Sequence, residues 1–148
     1  MAGRIRKTKR RTVSQAVPQS QTAPSVEPVP GCEDLPDWPQ RWMGFPEDIP
    51  PGEKLVACFR PFLQHLSERH LSHKTVRKHV NNLWVLGGEI IRDLNDTPSL
   101  RTAPIDALVF AAVEDGGRLP HGCDSEDALR SFESTCRQFR RFLERQPR

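Results

Sequence analysis

The chain has 148 residues, of which 36% are hydrophobic and 28% charged, and this composition predicts a single domain. No run of 18 apolar residues occurs, which argues against a transmembrane helix, and the basic start MAGRIRKTKRRT lacks the apolar stretch of a secretory signal. We therefore expect a cytoplasmic protein with no membrane partner. The net charge of +3 is unevenly distributed. Residues 31–148 carry 16 basic against 18 acidic side chains, so any basic surface there must come from segregation of charge.

Residues 1–30 form a basic segment followed by one rich in Ser, Gln, Thr, Pro and Val. Because they contain few large apolar groups, folding could not offset the entropy lost on ordering them, and a disordered tail is predicted. The tail's cations are candidate contacts for nucleic-acid phosphates, and six such contacts would give a salt slope of about −5. The alternative is a tail that only aids solubility. The candidate residues are Arg4, Arg6, Lys7, Lys9, Arg10 and Arg11.

Residues 31–52 combine five prolines with several large apolar side chains. Since prolines prevent a long helix, we predict an extended segment that packs onto the helical core through its aromatic residues. An aromatic binding surface is the alternative. The apolar side chains are Trp38, Trp42, Met43, Phe45 and Ile49.

From residue 53 onward, apolar residues recur at steps of three and four, which is typical of amphipathic helices. The first helix, EKLVACFRPFLQHLSERH, contains Pro61. This proline predicts either a kink or a short helix followed by a second one that begins near Pro61. Ser72 is positioned to cap the next helix, HKTVRKHVNNLWVLGGEIIRDL. Within it, Gly87 and Gly88 either permit close packing or mark a bend.

The third helix, PIDALVFAAVED, begins near Pro104 and is apolar enough to be buried, and Gly116 and Gly117 are placed to end it. Asp124 or Ser125 caps the fourth helix. No strand-like alternation persists, so we predict an all-α fold, a small four-helix bundle over residues 53–146. The fourth helix has an apolar seam at alternating steps of three and four, formed by Leu129, Phe132, Cys136, Phe139 and Leu143.

The order and spacing of these helices resemble the SAM-like core-binding domain of tyrosine recombinases and phage integrases, over about residues 53–146. FRPFLQHLSERHLSHKTVRKHVNNLWVL is similar to the opening of that domain, PIDALVFAAVED to its short third helix, and LRSFESTCRQFRRFLER to its last helix. In that family this domain clamps DNA, and a separate C-terminal domain cuts it. Here the chain ends where that catalytic domain would begin, and the sequence contains no tyrosine to serve as the family's nucleophile.

The resemblance therefore implies a non-catalytic, duplex-DNA-binding module of a mobile element, with a separate recombinase or transposase chain as a candidate partner. It places the DNA contact on the second and fourth helices, where Arg reads guanine and Asn reads adenine. A charged helix exterior can also be merely solvated. The candidate contacts are Lys74, Arg77, Lys78 and Asn81 on the second helix, and Arg130, Arg137, Arg140, Arg141 and Arg145 on the fourth.

The alternative function is a protein–protein interaction or homo-oligomerisation module with no nucleic-acid binding. In that case the Trp-rich segment and the apolar seam of the fourth helix would bury against a partner or a second copy.

Motifs for catalysis or metal binding are missing from the sequence. Zinc sites use paired short ligand spacings, which His65, His70, His73 and His79 do not provide. Phosphate-binding, dinucleotide-binding and Ser-nucleophile motifs do not occur. We therefore expect no metal, no cofactor and no enzymatic activity. The four cysteines form no CxxC pair and are predicted to be free thiols.

Overall fold

The computed structural model describes residues 28–114, 120, 122 and 125–146. Over these ranges the chain forms helices and no strand, which confirms the predicted all-α class. The five α-helices seen there are α1 (Trp38–Trp42), α2 (Ile49–Glu68), α3 (His73–Asp96), α4 (Ile105–Val113) and α5 (Glu126–Arg145). Single 3₁₀ turns occur at Leu35–Asp37, Pro46–Asp48 and Pro98–Thr102. None of the described helices combines the length and apolar character that a membrane span requires.

Several predictions fall on residues outside the described ranges. These are residues 1–27 of the predicted disordered tail with its basic side chains Arg4, Arg6, Lys7, Lys9, Arg10 and Arg11, together with the helix-ending Gly116 and Gly117 and the alternative cap Asp124. The tail was predicted to extend to residue 30, and this boundary is wrong, because Val29 is buried in the core and accepts a hydrogen bond from the N–H of Cys32 at 2.9 Å.

Residues 31–52 are not extended, contrary to the prediction. Pro36, Pro39 and Pro46 each occupy the first or second position of a short helical element, where the missing N–H has no helical partner to lose. The prolines therefore start helical turns instead of preventing them. For the same reason α2 begins at Ile49, four residues before the predicted boundary, with Pro50 in its first turn.

The aromatic packing expected for this segment occurs in its first half. Trp38 is 2% exposed and its ring meets those of Trp42 and Trp84, each at a centroid distance of 5.5 Å. Met43 and Phe45, in contrast, are 45% and 54% exposed. The segment therefore contributes to the core through α1 and leaves an apolar pair at the surface.

Pro61 does not divide α2, which runs from Ile49 to Glu68 without interruption. The prediction of a second helix beginning near Pro61 is therefore wrong. A proline in a helix deprives the carbonyl group four residues earlier of its hydrogen bond. Here that residue is Ala57, and both Ala57 and Pro61 are exposed, so water can reach the carbonyl group that lacks a donor.

Both serine caps are confirmed. Ser72 Oγ accepts a hydrogen bond from the backbone N–H of Thr75 at 3.1 Å, and Ser125 Oγ accepts one from Ala128 at the same distance. Each bond satisfies an N–H that the first turn of a helix leaves without a partner. The sequence therefore locates the starts of α3 and α5 correctly.

Gly87 permits close packing, the first of the two alternatives for the glycine pair. The indole of Trp42 lies directly over it, and a Cβ atom at Gly87 would overlap three carbons of that ring. The indole N–H of Trp42 donates to the carbonyl oxygen of Trp84 at 3.0 Å, and the two indoles stack at 5.6 Å. Gly87 thus lets α1 dock against the middle of α3.

The core is built around α2, which contacts α1, α3 and α4 and meets α5 through its aromatic side chains. Phe59 and Phe62 pack on Phe139 of α5 with centroid distances of 5.5 and 5.0 Å. The prediction that α4 is buried is correct for one face only. Only Val109 and Val113 of that helix are buried, and Ala107 and Ala111 face solvent. α4 is a short covering helix with one apolar face inward.

A buried carboxylate connects the turn before α2 to the end of α3. Asp48 is fully buried and accepts hydrogen bonds from the N–H groups of Gly44 and Phe45 at 2.9 and 3.0 Å. Arg101 forms a 2.8 Å ion pair with it, and Asn95 donates at 3.3 Å. Burial alone would raise the pKa of Asp48, but these hydrogen bonds outweigh burial and lower it below 3.8.

Candidate nucleic-acid interface

A concave surface lies between the C-terminal halves of α2 and α5, and we call it the arginine groove. It has a volume of about 750 Å³. Its lining contains four arginines and no Asp or Glu among the described residues. The lining residues are Phe62, His65, Arg69, Ser134, Arg137, Gln138, Arg141, Phe142 and Arg145.

The spacing of three arginines on α5 places them on one wall of the groove. Arg137, Arg141 and Arg145 follow each other at steps of four residues, so they lie on one helix face with a rise of about 6 Å per step. Arg69 faces them from the opposite wall, at the C-cap of α2. Between the arginines on α5, Gln138 donates to Ser134 Oγ at 3.2 Å.

Aromatic rings form the floor of the groove. Phe142 is half-buried and lies beside the apolar seam of α5. Its ring packs on Phe62 at a centroid distance of 5.5 Å and on His65 at 5.2 Å, the latter at an interplanar angle of 34°. Phe62 itself is buried, so Phe142 and His65 supply the accessible ring surface of this aromatic floor.

A polar network between α3 and α5 fixes the position of the arginine wall. His79 Nδ1 lies 2.7 Å from Thr135 Oγ1, and Asn82 Nδ2 donates to the same oxygen at 2.8 Å. Asn82 Nδ2 is also 3.0 Å from both the carbonyl oxygen and the Oγ of Ser131. His79 and Thr135 are buried, Asn82 and Ser131 are half-buried, and their hydrogen bonds form only in one register of α5 against α3.

His79 is neutral at pH 7. Burial, with a smaller contribution from the nearby cations of Lys78 and Arg69, lowers the pKa of its imidazole from 6.5 to about 4. Only 2% of its surface is exposed. A protonated His79 would place an additional charge beside Arg69 inside the bundle.

Two of the predicted α5 contacts are compensated by neighbouring carboxylates. Arg130 pairs with Glu126 at 3.1 Å and with Asp127 at 3.4 Å, and Arg140 pairs with Glu144 at 3.1 Å. Neither arginine lines the groove. Both are exposed or half-exposed ion pairs within one helix, which contribute little to stability.

The arginines of the groove have no such compensation. Within the described part of the chain, no Asp or Glu oxygen lies within 4.0 Å of the guanidinium groups of Arg69, Arg137, Arg141 or Arg145. Arg69, Arg137, Arg141 and Arg145 are exposed. On α5, Arg130 and Arg140 thus have carboxylate partners outside the groove, whereas the arginines on the groove side have none within 4.0 Å among the described residues.

The candidate contacts on α3 are not part of this groove. Lys74, Arg77 and Asn81 are exposed and Lys78 is half-buried, but in the described structure the groove walls come from α2, its C-cap and α5. The neighbouring Asn82 is occupied in the interface with α5. The groove is therefore lined by α5 and α2, and the predicted contacts on α3 lie outside it.

Sequence reasoning missed Arg69, His65 and Phe142 as site residues. The signal for two of them was present, because Phe62, His65 and Arg69 follow each other at steps of three and four and so lie on one face of the first predicted helix. This face packs beside the arginine face of α5 in the tertiary structure, and the periodicity of the sequence cannot predict that contact.

Possible metal ligands and cysteine thiols occur among the described residues. These residues contain no group of three or more His, Cys, Asp or Glu side chains that could hold a metal ion. Burial raises the pKa of the thiols of Cys32 and Cys136 to about 12, and that of Cys58 to about 11. These three cysteines are free and protonated at pH 7, and a thiol is a much weaker nucleophile than a thiolate.

Comparisons of the chain with protein-family models, with curated proteins and with solved structures found no match.

Proposed function

We propose that this protein is a non-catalytic DNA-binding protein and that the arginine groove contacts the DNA backbone. The observation that carries the proposal is the convergence of four uncompensated guanidinium groups in one groove, although residues 31–148 together have a net charge of −2. Guanidinium stays charged at all physiological pH values and forms bidentate hydrogen bonds with phosphate. A polyanion is the ligand that this arrangement fits.

The expected strength of the electrostatic contribution follows from the number of cations. Four phosphate contacts give a slope of log affinity against log salt of about −3.6 for a duplex. Six further contacts from the basic residues in 1–12 would bring the slope of the full chain to about −9. The exposed cations Lys74 and Arg77, the half-buried Lys78 and the exposed Asn81 are proposed contacts outside the groove.

The resemblance to integrase core-binding domains extends this proposal to a role in DNA recombination by a mobile element. In that role the protein would bind DNA, and a separate recombinase or transposase chain would supply the chemistry. The cation arrangement on α5 supports the DNA-binding half of this proposal, and the sequence resemblance supports the biological setting.

A matched pair of charge reversals on α5 tests the groove. Arg137→Glu with Arg141→Glu removes two groove cations, and Arg130→Glu with Arg140→Glu makes the same change of net charge outside it. We expect the groove variant to bind labelled DNA at least about 100-fold more weakly, since each lost contact of about 1.4 kcal/mol is a factor of ten.

The control variant is expected to bind within about threefold of the wild type, because its arginines already have carboxylate partners. Circular dichroism checks that both variants remain folded. An equal loss of affinity in the two variants would mean that net charge matters and the groove does not.

The alternative function, a protein–protein module, is favoured by one observation, the exposed pair Met43 and Phe45. The apolar seam proposed for that role is not available, because Phe132, Cys136 and Phe139 are buried within the bundle. Sedimentation of the wild type and of Met43→Ser with Phe45→Ser decides the matter. A dimer that dissociates in the variant would support this alternative.

A further inference from the structure

The arginine groove has an aromatic floor. If the groove bound only phosphates, the rings of this floor would have no part in binding. Phe142 is half-buried and lies beside the seam that packs the core. Its ring packs against those of His65 and Phe62 at interplanar angles of 34° and 57°, and all three residues line the groove. Basic grooves with accessible aromatic rings are typical of proteins that bind single-stranded nucleic acid, because the phosphates pair with cations and the bases stack on rings.

The arrangement of arginines and aromatic rings in the groove suits a single strand better than a duplex. Arg137 and Arg145 are eight residues apart, which corresponds to about 12 Å along α5. A duplex keeps its bases stacked on each other, so only its phosphates reach these arginines and the floor stays empty. A single strand can lay its phosphates along the same arginines and turn a base toward Phe142.

We infer that the arginine groove takes a single strand of DNA, with phosphates on its four arginines and a base stacked on Phe142. This inference rests on the proposed function and specifies the ligand of that same site. It predicts that the protein prefers unpaired DNA, such as a strand end or a locally opened duplex, over an intact duplex of the same length.

The test uses the full chain and fluorescence anisotropy with two labelled probes of about 12 nucleotides, oligo-dT and a duplex. Phe142→Leu keeps an apolar side chain and removes the stacking face. Phe45→Leu makes the same change at an exposed ring outside the groove. We expect Phe142→Leu to weaken single-strand binding about tenfold, while duplex binding changes less than about twofold. Phe45→Leu should change neither, and Phe142→Trp should bind oligo-dT at least as tightly as the wild type.

Two results would overturn the inference and leave the proposed function intact. One is equal affinity of the wild type for the two probes with no effect of Phe142→Leu, while Arg137→Glu with Arg141→Glu still abolishes binding. The other is an equal loss for both probes in Phe142→Leu, which would make the ring a support of the wall and not a stacking surface. Failure of the wild type to bind either probe would refute both proposals. Thermal unfolding of each variant confirms that the bundle is retained.

Discussion

Replacing Gly87 by alanine should destabilise the protein, although alanine favours helices. The new Cβ atom would overlap three carbons of the Trp42 indole, and that ring is held by its hydrogen bond to Trp84 and by its contacts with Trp38. Overpacking of this kind costs about 1–3 kcal/mol, and the overlap puts it at the upper end. The helix preference of alanine returns about 1 kcal/mol, so the net loss is about 2 kcal/mol.

Gly88 provides the matched control, one residue further along the same helix. A Cβ there would lie 3.5 Å from the nearest atom of Trp42, which is ordinary van der Waals contact. Gly88→Ala should therefore stabilise the protein by up to about 1 kcal/mol through helix preference alone. At about 4 °C per kcal/mol, the melting temperature should fall by roughly 8 °C in Gly87→Ala and rise by up to about 4 °C in Gly88→Ala.

Thermal unfolding followed by circular dichroism measures both shifts, and a Trp42→Ala background identifies their cause. Without the indole, Gly87→Ala should stabilise as Gly88→Ala does, because the overlapping ring is gone. A Gly87→Ala variant that melts at or above the wild-type temperature would refute the packing argument.

Two further predictions concern buried polar groups, and urea unfolding at several pH values tests both. Asp48→Ala should cost about 3 kcal/mol at pH 7, because it leaves Arg101 without its buried partner. The folded-state pKa of Asp48 lies below its ordinary value of 3.8. The difference in free energy of unfolding between the wild type and Asp48→Ala should therefore be fully present above pH 3.8 and should decrease as the pH falls through the folded-state pKa. For His79 the folded pKa of about 4 lies below the ordinary 6.5, so the unfolded chain is protonated first as the pH falls. The wild type should lose about 3 kcal/mol between pH 6.5 and 4 relative to His79→Leu, and parallel curves for the two proteins would show that the imidazole is not responsible.

The features predicted well from sequence are local ones. The N-caps at Ser72 and Ser125 depend on a hydroxyl and the N–H three residues later, so the residue types alone locate them. The apolar periodicity of α3 and α5 similarly identifies which faces are buried. The all-α class follows from these local patterns.

The predictions that failed depended on where an element sits in the tertiary structure. Pro39 was predicted to prevent a helix, but it lies in the first turn of α1, where a proline is compatible with a helix. Whether α4 is covered on all sides depends on how many neighbours reach it, which its composition does not reveal. The division of α5 into compensated and uncompensated arginines does not follow from spacing either. Glu133 lies four residues before Arg137, the same spacing as in the Glu126–Arg130 and Arg140–Glu144 pairs, but only the latter two form ion pairs.

The most direct test of the central claim is the salt dependence of DNA affinity in a full-length variant whose six basic residues in 1–12 are replaced by glutamine. Any remaining electrostatic attraction must then come from cations outside that segment, on a region with a net charge of −2. Four arginines in one groove predict a slope of log affinity against log salt of about −2.8 with a single strand and about −3.6 with a duplex. Adding Arg137→Gln and Arg141→Gln should make the slope shallower by about 1.4 with a single strand and by about 1.8 with a duplex. A slope near zero before those two substitutions, or one that they leave unchanged, would contradict a DNA contact at the arginine groove.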